Sequence, residues 1–359
     1  MDRFACETMV VSGAEAISIL AEQACRRMMV VTEPGGRTTA MVRQVIRAAG
    51  NPETDYVDEI SPDPTMKQAV EGSRQLKAFG PDLVVALGKE NVMDCGKAMV
   101  CFSRQPCKLA VIPTLSGGGA EVTDRVTLCH NGRRHLLQDR AMRPALAILD
   151  SAMTELAGKH DIAACGFELL AAALEAYTLS NGTMLTDLHA REAFAVGWAV
   201  LPAAFAGNEN ARRRLQMASV MAGLAVNQTG LGLCRAMENS LGTVFGLSRG
   251  KLAGILLPAV IGCNAHAAGR RYAELSRAAG MGGSREEIGL RNLKTGLTRL
   301  RRELGLPQTL VQAGVDLRSV WSSGRRIVEL TLEDPECRNN PVAVDDFMVR
   351  RILEEITGR

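Results

Sequence analysis

The stretch LGLCRAMENSLGTVFGLSRGKLAGILLP, residues 231–258, decides how the second half of this chain folds. It has the pattern of two helices joined by a short loop. Alanine- and leucine-rich stretches before it also show helical spacing and almost no β-branched alternation, namely residues 162–177, 187–205 and 211–226. We therefore predict an all-helical domain over residues 153–359.

The first half has a different pattern of apolar residues, because short apolar runs alternate with helical patterns up to Asp150. This alternation predicts an α/β layer built on a mostly parallel sheet, over residues 1–152. Asn131-Gly132 lies between two strand-like runs and predicts a hairpin turn. Strands are predicted at residues 27–33, 55–59 and 81–88, and helices at 38–49 and 64–79.

Composition limits the classes of protein that fit. With 359 residues, 47% of them hydrophobic, the chain is long enough for about two domains with large cores. The net charge of +3 and the pI of 8.3 are too small to indicate a nucleic-acid or membrane partner. No apolar run is expected to approach the roughly 18 residues of a membrane span.

The cysteines indicate a reducing compartment. Ten cysteines are spread without a CxxC pair or an even framework, and the start MDRFACETMVV lacks the regions of a signal peptide. We therefore expect free thiols and a cytoplasmic protein.

The opening stretch also carries a resemblance. It is similar to the segment GLGxxHAxAHxLGxxxxxPHG of the iron-dependent alcohol dehydrogenase family, with Gly230, Gly232, Ala236, Leu241, Gly242 and Gly250 in register. SPDPTMKQAVEG, IPTLSGGGAEVT, PALAILD and ALEAYTLS follow the family's order, so the resemblance covers nearly the whole chain. Within the family, the chain most resembles the propanol dehydrogenases of propanediol-utilising microcompartments.

The resemblance implies a fold and an activity. It implies the dehydroquinate synthase-like fold, in which an N-terminal dinucleotide-binding domain and a helical metal domain flank a cleft. It further implies interconversion of a small primary alcohol and its aldehyde with NAD, in a dimeric protein of the cytoplasm or of a bacterial microcompartment.

The family's metal ligands are replaced at the matching positions. The first and last histidines of the segment are Arg235 and Arg249, and the middle histidine is Asn239. The family's aspartate and histidine on an earlier helix correspond to Glu168 and Ala172. Arginine has no acceptor and keeps its charge, so it cannot bind a metal ion. We therefore expect no iron or zinc, although a set drawn from Cys165, Cys234, Cys263 and His266 is an alternative.

The family's phosphate-binding loop is altered as well. Its GGGS turn corresponds to Gly88, Lys89, Glu90 and Asn91, followed by the retained Asp94 and Lys97. Loss of two glycines adds bulk where backbone amides approach the pyrophosphate, and Glu90 adds a carboxylate near an anion. Asn91 is expected to cap the following helix. Weak NAD binding, or none, follows from these changes.

A second loop is better preserved. Thr114, Ser116, Gly117 and Gly119 match the family's TTxGTGSE pattern. Glu33 occupies the position of the family's acidic residue near the adenosine ribose, where a carboxylate disfavours a 2′-phosphate. If a nucleotide binds, NAD is favoured over NADP.

Three hypotheses of function remain. The first is a non-catalytic family member that acts as an assembly partner, for example of an active paralogue. The second is an NAD-linked oxidoreductase of a small alcohol and aldehyde that works without a metal or is impaired. The third is a binding module for a nucleotide or a small anion in the cleft.

The replaced metal site suggests a specific arrangement. We predict that Arg235, Arg249 or both pair with Glu168 in place of the metal, because guanidinium and carboxylate form directional hydrogen bonds. Counting these three groups leaves one positive charge, which would attract a small anion. If the pair is buried, Glu168→Ala should cost about 3 to 5 kcal/mol of stability.

Overall fold

The computed structural model describes residues 4–358 and divides the chain into two compact units. One unit is Ala5–Ala157, and the other contains residues 158–358 together with Phe4. The sequence analysis places the boundary after residue 152. We describe each unit by itself.

Unit Ala5–Ala157 is an α/β layer. The strands are β1 (Met9–Ser12), β2 (Arg27–Thr32), β3 (Glu53–Val57), β4 (Leu83–Gly88), β5 (Lys108–Pro113), β6 (Arg125–His130), β7 (Arg133–Gln138) and β8 (Leu146–Leu149). Six of them form a parallel sheet in the order β1-β8-β5-β4-β2-β3, and β6 and β7 form a separate antiparallel hairpin. The helices are α1 (Ala40–Ala48), α2 (Met66–Phe79) and α3 (Glu90–Ser103). The predicted fold class of this half is confirmed.

The central strands form where the apolar runs are continuous. All six residues of β4 are buried, because helices cover both faces of a parallel sheet. The hairpin turn is at Asn131-Gly132 as predicted, and both residues have positive φ, 49° and 68°. The predicted helix at residues 38–49 begins two residues later, where the Thr39 side chain caps α1 by accepting from the Val42 amide.

The second unit is all-helical, as predicted. Its helices are α4 (Lys159–Thr178), α5 (Met184–Phe205), α6 (Glu209–Thr229), α7 (Leu233–Phe245), α8 (Arg249–Ala278), α9 (Glu286–Glu303), α10 (Leu317–Glu333) and α11 (Asp346–Thr357). Alanine and leucine on α4 pack against α5, α6 and α8, and most of α4 is buried. This packing places the opening stretch of the sequence, α7 and α8, beside α4.

One expectation about membranes needs correction. Within residues 4–358, α8 is long and apolar enough to cross a membrane by length and composition, with a mean hydropathy of 1.5 in its most apolar window. That window is 67% buried inside the protein, as also happens for a core helix of a soluble protein. The bent pair α6 and α7 passes the same test when counted as one span.

Candidate functional site

Arg235 of α7 is held between two buried carboxylates. Its Nη2 lies 3.4 Å from Oε1 of Glu168 on α4, and its Nε lies 3.3 Å from Oε2 of Glu238 on α7. The three side chains are between 2% and 9% exposed. The predicted pairing of Glu168 with an arginine is therefore confirmed for Arg235.

Arg249 is the first residue of α8 and is half-buried. Its predicted pairing with Glu168 stays a prediction.

The N-terminus of α7 is capped from another helix. Gly232 precedes α7 and has no side chain to accept the first amides. Glu175 of α4 supplies the acceptors, because its Oε1 accepts from the Cys234 amide at 2.8 Å and its Oε2 accepts from the Arg235 amide at 3.3 Å. This carboxylate also lies where the positive end of the helix dipole favours a negative charge.

Two glycines allow these elements to approach closely. A Cβ on Gly232 would lie 2.8 Å from Oε1 of Glu175, and a Cβ on Gly250 would lie 2.1 Å from the carbonyl oxygen of Ala164. A larger residue at position 250 would push α8 away from the α4 backbone, whereas one at position 232 would displace the Glu175 carboxyl group that caps α7. These contacts explain the glycines at both positions.

Burial dominates the titration of Glu175. Burial, and next the charge of Glu238, raise the pKa of Glu175 to about 8, although hydrogen bonds from the Cys234 and Gly232 amides and the charge of Arg235 oppose the shift. A carboxyl group that titrates near neutrality therefore lies at the start of α7.

Asn239 lies one turn beyond Arg235 on the same face of α7. Its Nδ2 donates to Oδ2 of Asp334 at 2.9 Å, whereas its buried Oδ1 has no hydrogen-bond partner. Burial raises the pKa of Asp334. Close by, Oε2 of Glu336 accepts from the amide of Leu231 at 2.9 Å.

The sequence analysis missed Glu175 and Glu238. The sequence could have indicated Glu238 as a partner of Arg235, since it follows Arg235 by three residues and lies beside it on a helix. The sequence could also have placed Glu175 near the site, because it follows Glu168 by seven residues and shares its face of α4. The surplus of one positive charge expected from Glu168, Arg235 and Arg249 did not include these two carboxyl groups, which the structure places beside Arg235.

In the α/β unit, several predicted cofactor residues share one edge of the sheet. Glu33, Gly88 and Thr114 stand at the carboxyl ends of the adjacent strands β2, β4 and β5, where ligands of open parallel sheets bind. The Lys89 amide donates to Oε1 of Glu33 at 3.4 Å, and the Thr114 amide donates to the Gly88 carbonyl at 3.0 Å.

The predicted cap at Asn91 is wrong. The N-cap of α3 is Lys89, whose side chain makes no capping hydrogen bond, and Glu90 is the first helical residue. Asn91 is thus inside the first turn, and its Nδ2 donates to the Ser61 carbonyl at 2.9 Å.

Asp94 and Lys97 on α3 are buried beneath the hairpin. Oδ2 of Asp94 accepts from the Thr127 amide at 2.9 Å. Nζ of Lys97 donates to Oγ1 of Thr123 at 3.1 Å and to the Arg125 carbonyl at 3.3 Å. These contacts join α3 to β6, while a role toward a cofactor stays a prediction for both residues.

The second loop keeps a group that needs a partner. Ser116 is 6% exposed, and its buried Oγ has no hydrogen-bond partner. Gly119 has φ of 79°, which favours glycine, and it begins the short turn after the loop. Gly117 lies between them and is half-buried. A hydroxyl in this setting fits a hydrogen bond to a ligand at the sheet edge.

Comparison with protein families accounts for nearly the whole chain. Residues 7–151 match the model "Iron-containing alcohol dehydrogenase", and residues 162–357 match "Fe-containing alcohol dehydrogenase family, C-terminal". The chain belongs to the iron-containing alcohol dehydrogenase family. The resemblance inferred from the opening stretch is thereby confirmed.

Curated relatives are similar in sequence to this chain over nearly its full length. It is 30% identical to "1-propanol dehydrogenase PduQ" of Salmonella typhimurium and 28% identical to the protein of that name from Citrobacter freundii, in each case over 99% of this chain and 100% of the relative. A structure titled "1,3-propanediol oxidoreductase" superposes with a TM-score of 0.92 at 23% identity, covering 99% of this chain and 100% of the other. The iron-containing alcohol dehydrogenase of Thermococcus thioreducens gives 0.91 at 25% identity, with the same coverage.

The residues around Arg235 do not fit the metal that the family name implies. A divalent ion needs lone-pair donors, whereas the guanidinium supplies only N–H groups and already contacts Glu168 and Glu238. Within residues 4–358, no group of three or more His, Cys, Asp or Glu side chains is arranged to hold a metal ion. No step of alcohol oxidation can therefore be assigned here to a bound metal.

Proposed function

We propose that this chain is a non-catalytic member of the iron-containing alcohol dehydrogenase family that acts as an assembly partner. The observation that carries the proposal is the buried contact of Arg235 with Glu168 and Glu238. In a metal-dependent alcohol oxidation, the metal polarises the alcohol oxygen and stabilises the alkoxide. A guanidinium has no lone pair and binds no metal ion, so Arg235 leaves no Lewis-acid position for that oxygen.

The relatives suggest which partner to test. Because curated relatives over the full length are named 1-propanol dehydrogenase, we propose an active family member of this kind as the partner in a hetero-assembly, with a homodimer of this chain as the alternative. Location in the cytoplasm, or inside a bacterial microcompartment, is part of the same proposal.

Co-expression tests the partner role. The tagged chain is produced with an active 1-propanol dehydrogenase of the same organism, and the purified material is analysed by native mass spectrometry and by a propanol and NAD assay. Stable mixed oligomers, with no turnover by this chain alone, are expected. Turnover by the chain alone at the rate of the active enzyme would contradict the proposal.

Metal analysis gives a direct prediction. Protein purified without chelator and then reconstituted should contain far less than one iron or zinc per chain, because Arg235 fills the space between Glu168 and Glu238. Elemental analysis by mass spectrometry measures the content. The active relative, treated in parallel, is the positive control, and about one tightly held metal per chain would overturn the prediction.

A second candidate is an NAD-linked oxidoreductase that works without a metal on a small primary alcohol or aldehyde. The unpartnered Oγ of Ser116 favours a retained nucleotide site at the sheet edge. The amide at the start of α3 argues against tight binding, because Lys89 already donates to a carboxylate of this chain, Glu33.

Loop restoration tests this second candidate. NAD should bind weakly to the natural chain, and the variant Lys89→Gly, Glu90→Gly, Asn91→Ser should bind it more tightly, because side-chain bulk and a carboxylate leave the α3 N-terminus. Calorimetric titration measures both affinities. Ser116→Ala in the restored loop is the matched control and should weaken binding again. Low-micromolar affinity of the natural chain would show that the loop does not obstruct NAD.

A further inference from the structure

The N-terminus of α7 is surrounded by more carboxyl groups than guanidinium groups. We name these carboxyl groups the α7 acidic cluster: Glu168, Glu175, Glu238, Asp334 and Glu336. Their contacts with α7 link them to one another, since each is bonded to a residue between Leu231 and Asn239. Even if both Arg235 and Arg249 are counted against them, five acids face two bases. Such an imbalance in a buried place favours a proton or a cation as an additional partner.

A second observation points to a ligand that donates hydrogen bonds. Asn239 is 7% exposed, its Nδ2 is committed to Asp334, and its Oδ1 has no partner. The carboxylate of Asp334 fixes the amide orientation, because only the amide nitrogen can donate to it. An acceptor is therefore left open within the cluster, and a buried acceptor without a donor costs free energy.

The residues of the cluster differ slightly in exposure. Glu168, Arg235 and Asn239 each keep 7% of their surface exposed, whereas Glu238 keeps 1%. Glu168, Arg235 and Asn239 therefore define the more exposed edge of the cluster. Arg235 excludes a fully coordinated divalent ion from the same space, as described above.

We propose that this edge of the α7 acidic cluster binds a small primary ammonium ion, with Asn239 Oδ1 and the Glu168 carboxylate as acceptors. An ammonium group has three N–H donors and one positive charge, so it complements the Asn239 Oδ1 acceptor and the neighbouring carboxylates together. The inference rests on the proposed function, because a chain that held a divalent metal here would have no place for the ammonium group.

Calorimetric titration of the full chain with ethanolamine at low salt tests the proposal, with methylammonium as a second probe. One site per chain is expected, and both Asn239→Leu and Glu168→Gln should weaken binding by about tenfold or more, through loss of a hydrogen bond to a charged group. Asn181→Leu removes an asparagine that bonds the Thr229 carbonyl instead, and it should bind like the natural chain. Circular dichroism confirms that each variant is folded.

Parallel titrations with manganese chloride and sodium propionate separate the alternatives. Absence of binding by all probes would overturn the ammonium site and leave the proposed function intact. Binding of propionate but not ethanolamine would overturn it in favour of an anion site. One manganese ion per chain would overturn both this inference and the proposed function.

Discussion

Replacing Arg235 with methionine should lower the free energy of unfolding by about 3 to 5 kcal/mol, because it leaves two buried carboxylates without their cation. Glu168→Ala should cost less than the value expected from sequence for a simple pair, since Arg235 keeps its contact with Glu238. Urea denaturation at neutral pH measures both changes. Arg350→Met is the matched control, because Arg350 pairs with Asp346 on the exposed face of α11, and it should leave stability nearly unchanged.

A rescue variant distinguishes charge from packing in that experiment. Adding Glu168→Gln and Glu238→Gln to Arg235→Met removes the unpaired charges without changing side-chain size. Most of the lost stability should then return. If it does not, the cost of Arg235→Met comes from packing, and the guanidinium does not act as a substitute cation.

Glu175 should make the stability of the helical unit depend strongly on pH. Its pKa is raised from 4.5 to about 8 by burial, so the folded state binds this proton more tightly than the unfolded state does. The resulting stabilisation is complete below about pH 4.5 and is lost as the pH rises through about 8. We expect the free energy of unfolding to fall by as much as about 4 kcal/mol between pH 5 and pH 8, at about 1.4 kcal/mol per pKa unit.

The variant Glu175→Gln isolates this effect. Glutamine is neutral at every pH, so the fall in stability between pH 5 and pH 8 should become much shallower. Absolute stability should be lower, because glutamine has only one side-chain oxygen, whereas the two oxygens of Glu175 accept from the Cys234 and Arg235 amides. Denaturation curves over this pH range report both quantities, and an unchanged slope would assign the titration to another group. Glu53→Gln, on the exposed edge of the sheet, serves as the control.

Sequence patterns predicted the elements that depend on local chemistry. Strand β4 was predicted because a short continuous apolar run favours a buried strand. The turn at Asn131-Gly132 was predicted because both residues accept the positive φ of a hairpin turn. The pairing of Glu168 with Arg235 followed from complementary charge at positions that share a site in the family.

Tertiary contacts explain what the sequence did not predict. Lys89, not Asn91, is the N-cap of α3, because the helix starts directly after β4 ends at Gly88. Glu175 was treated as part of an apolar helix, yet its role depends on where α7 begins in space. The acid excess at α7 could not be counted until residues from α4, α7 and the segment after α10 were placed together.

The way α7 begins has a consequence for how the chain acquires its structure during synthesis. The amides of Leu231 and Leu233 bond to Glu336 and Asn340, which follow them by 105 and 107 residues. A nascent chain that has emerged only through α9 therefore cannot complete this helix start, whatever the helical propensity of the segment. Contacts so distant in sequence close late and slowly. The helical unit should become protease-resistant only after the segment that carries Glu336 and Asn340 has left the ribosome, so it cannot be assembled helix by helix as the chain emerges.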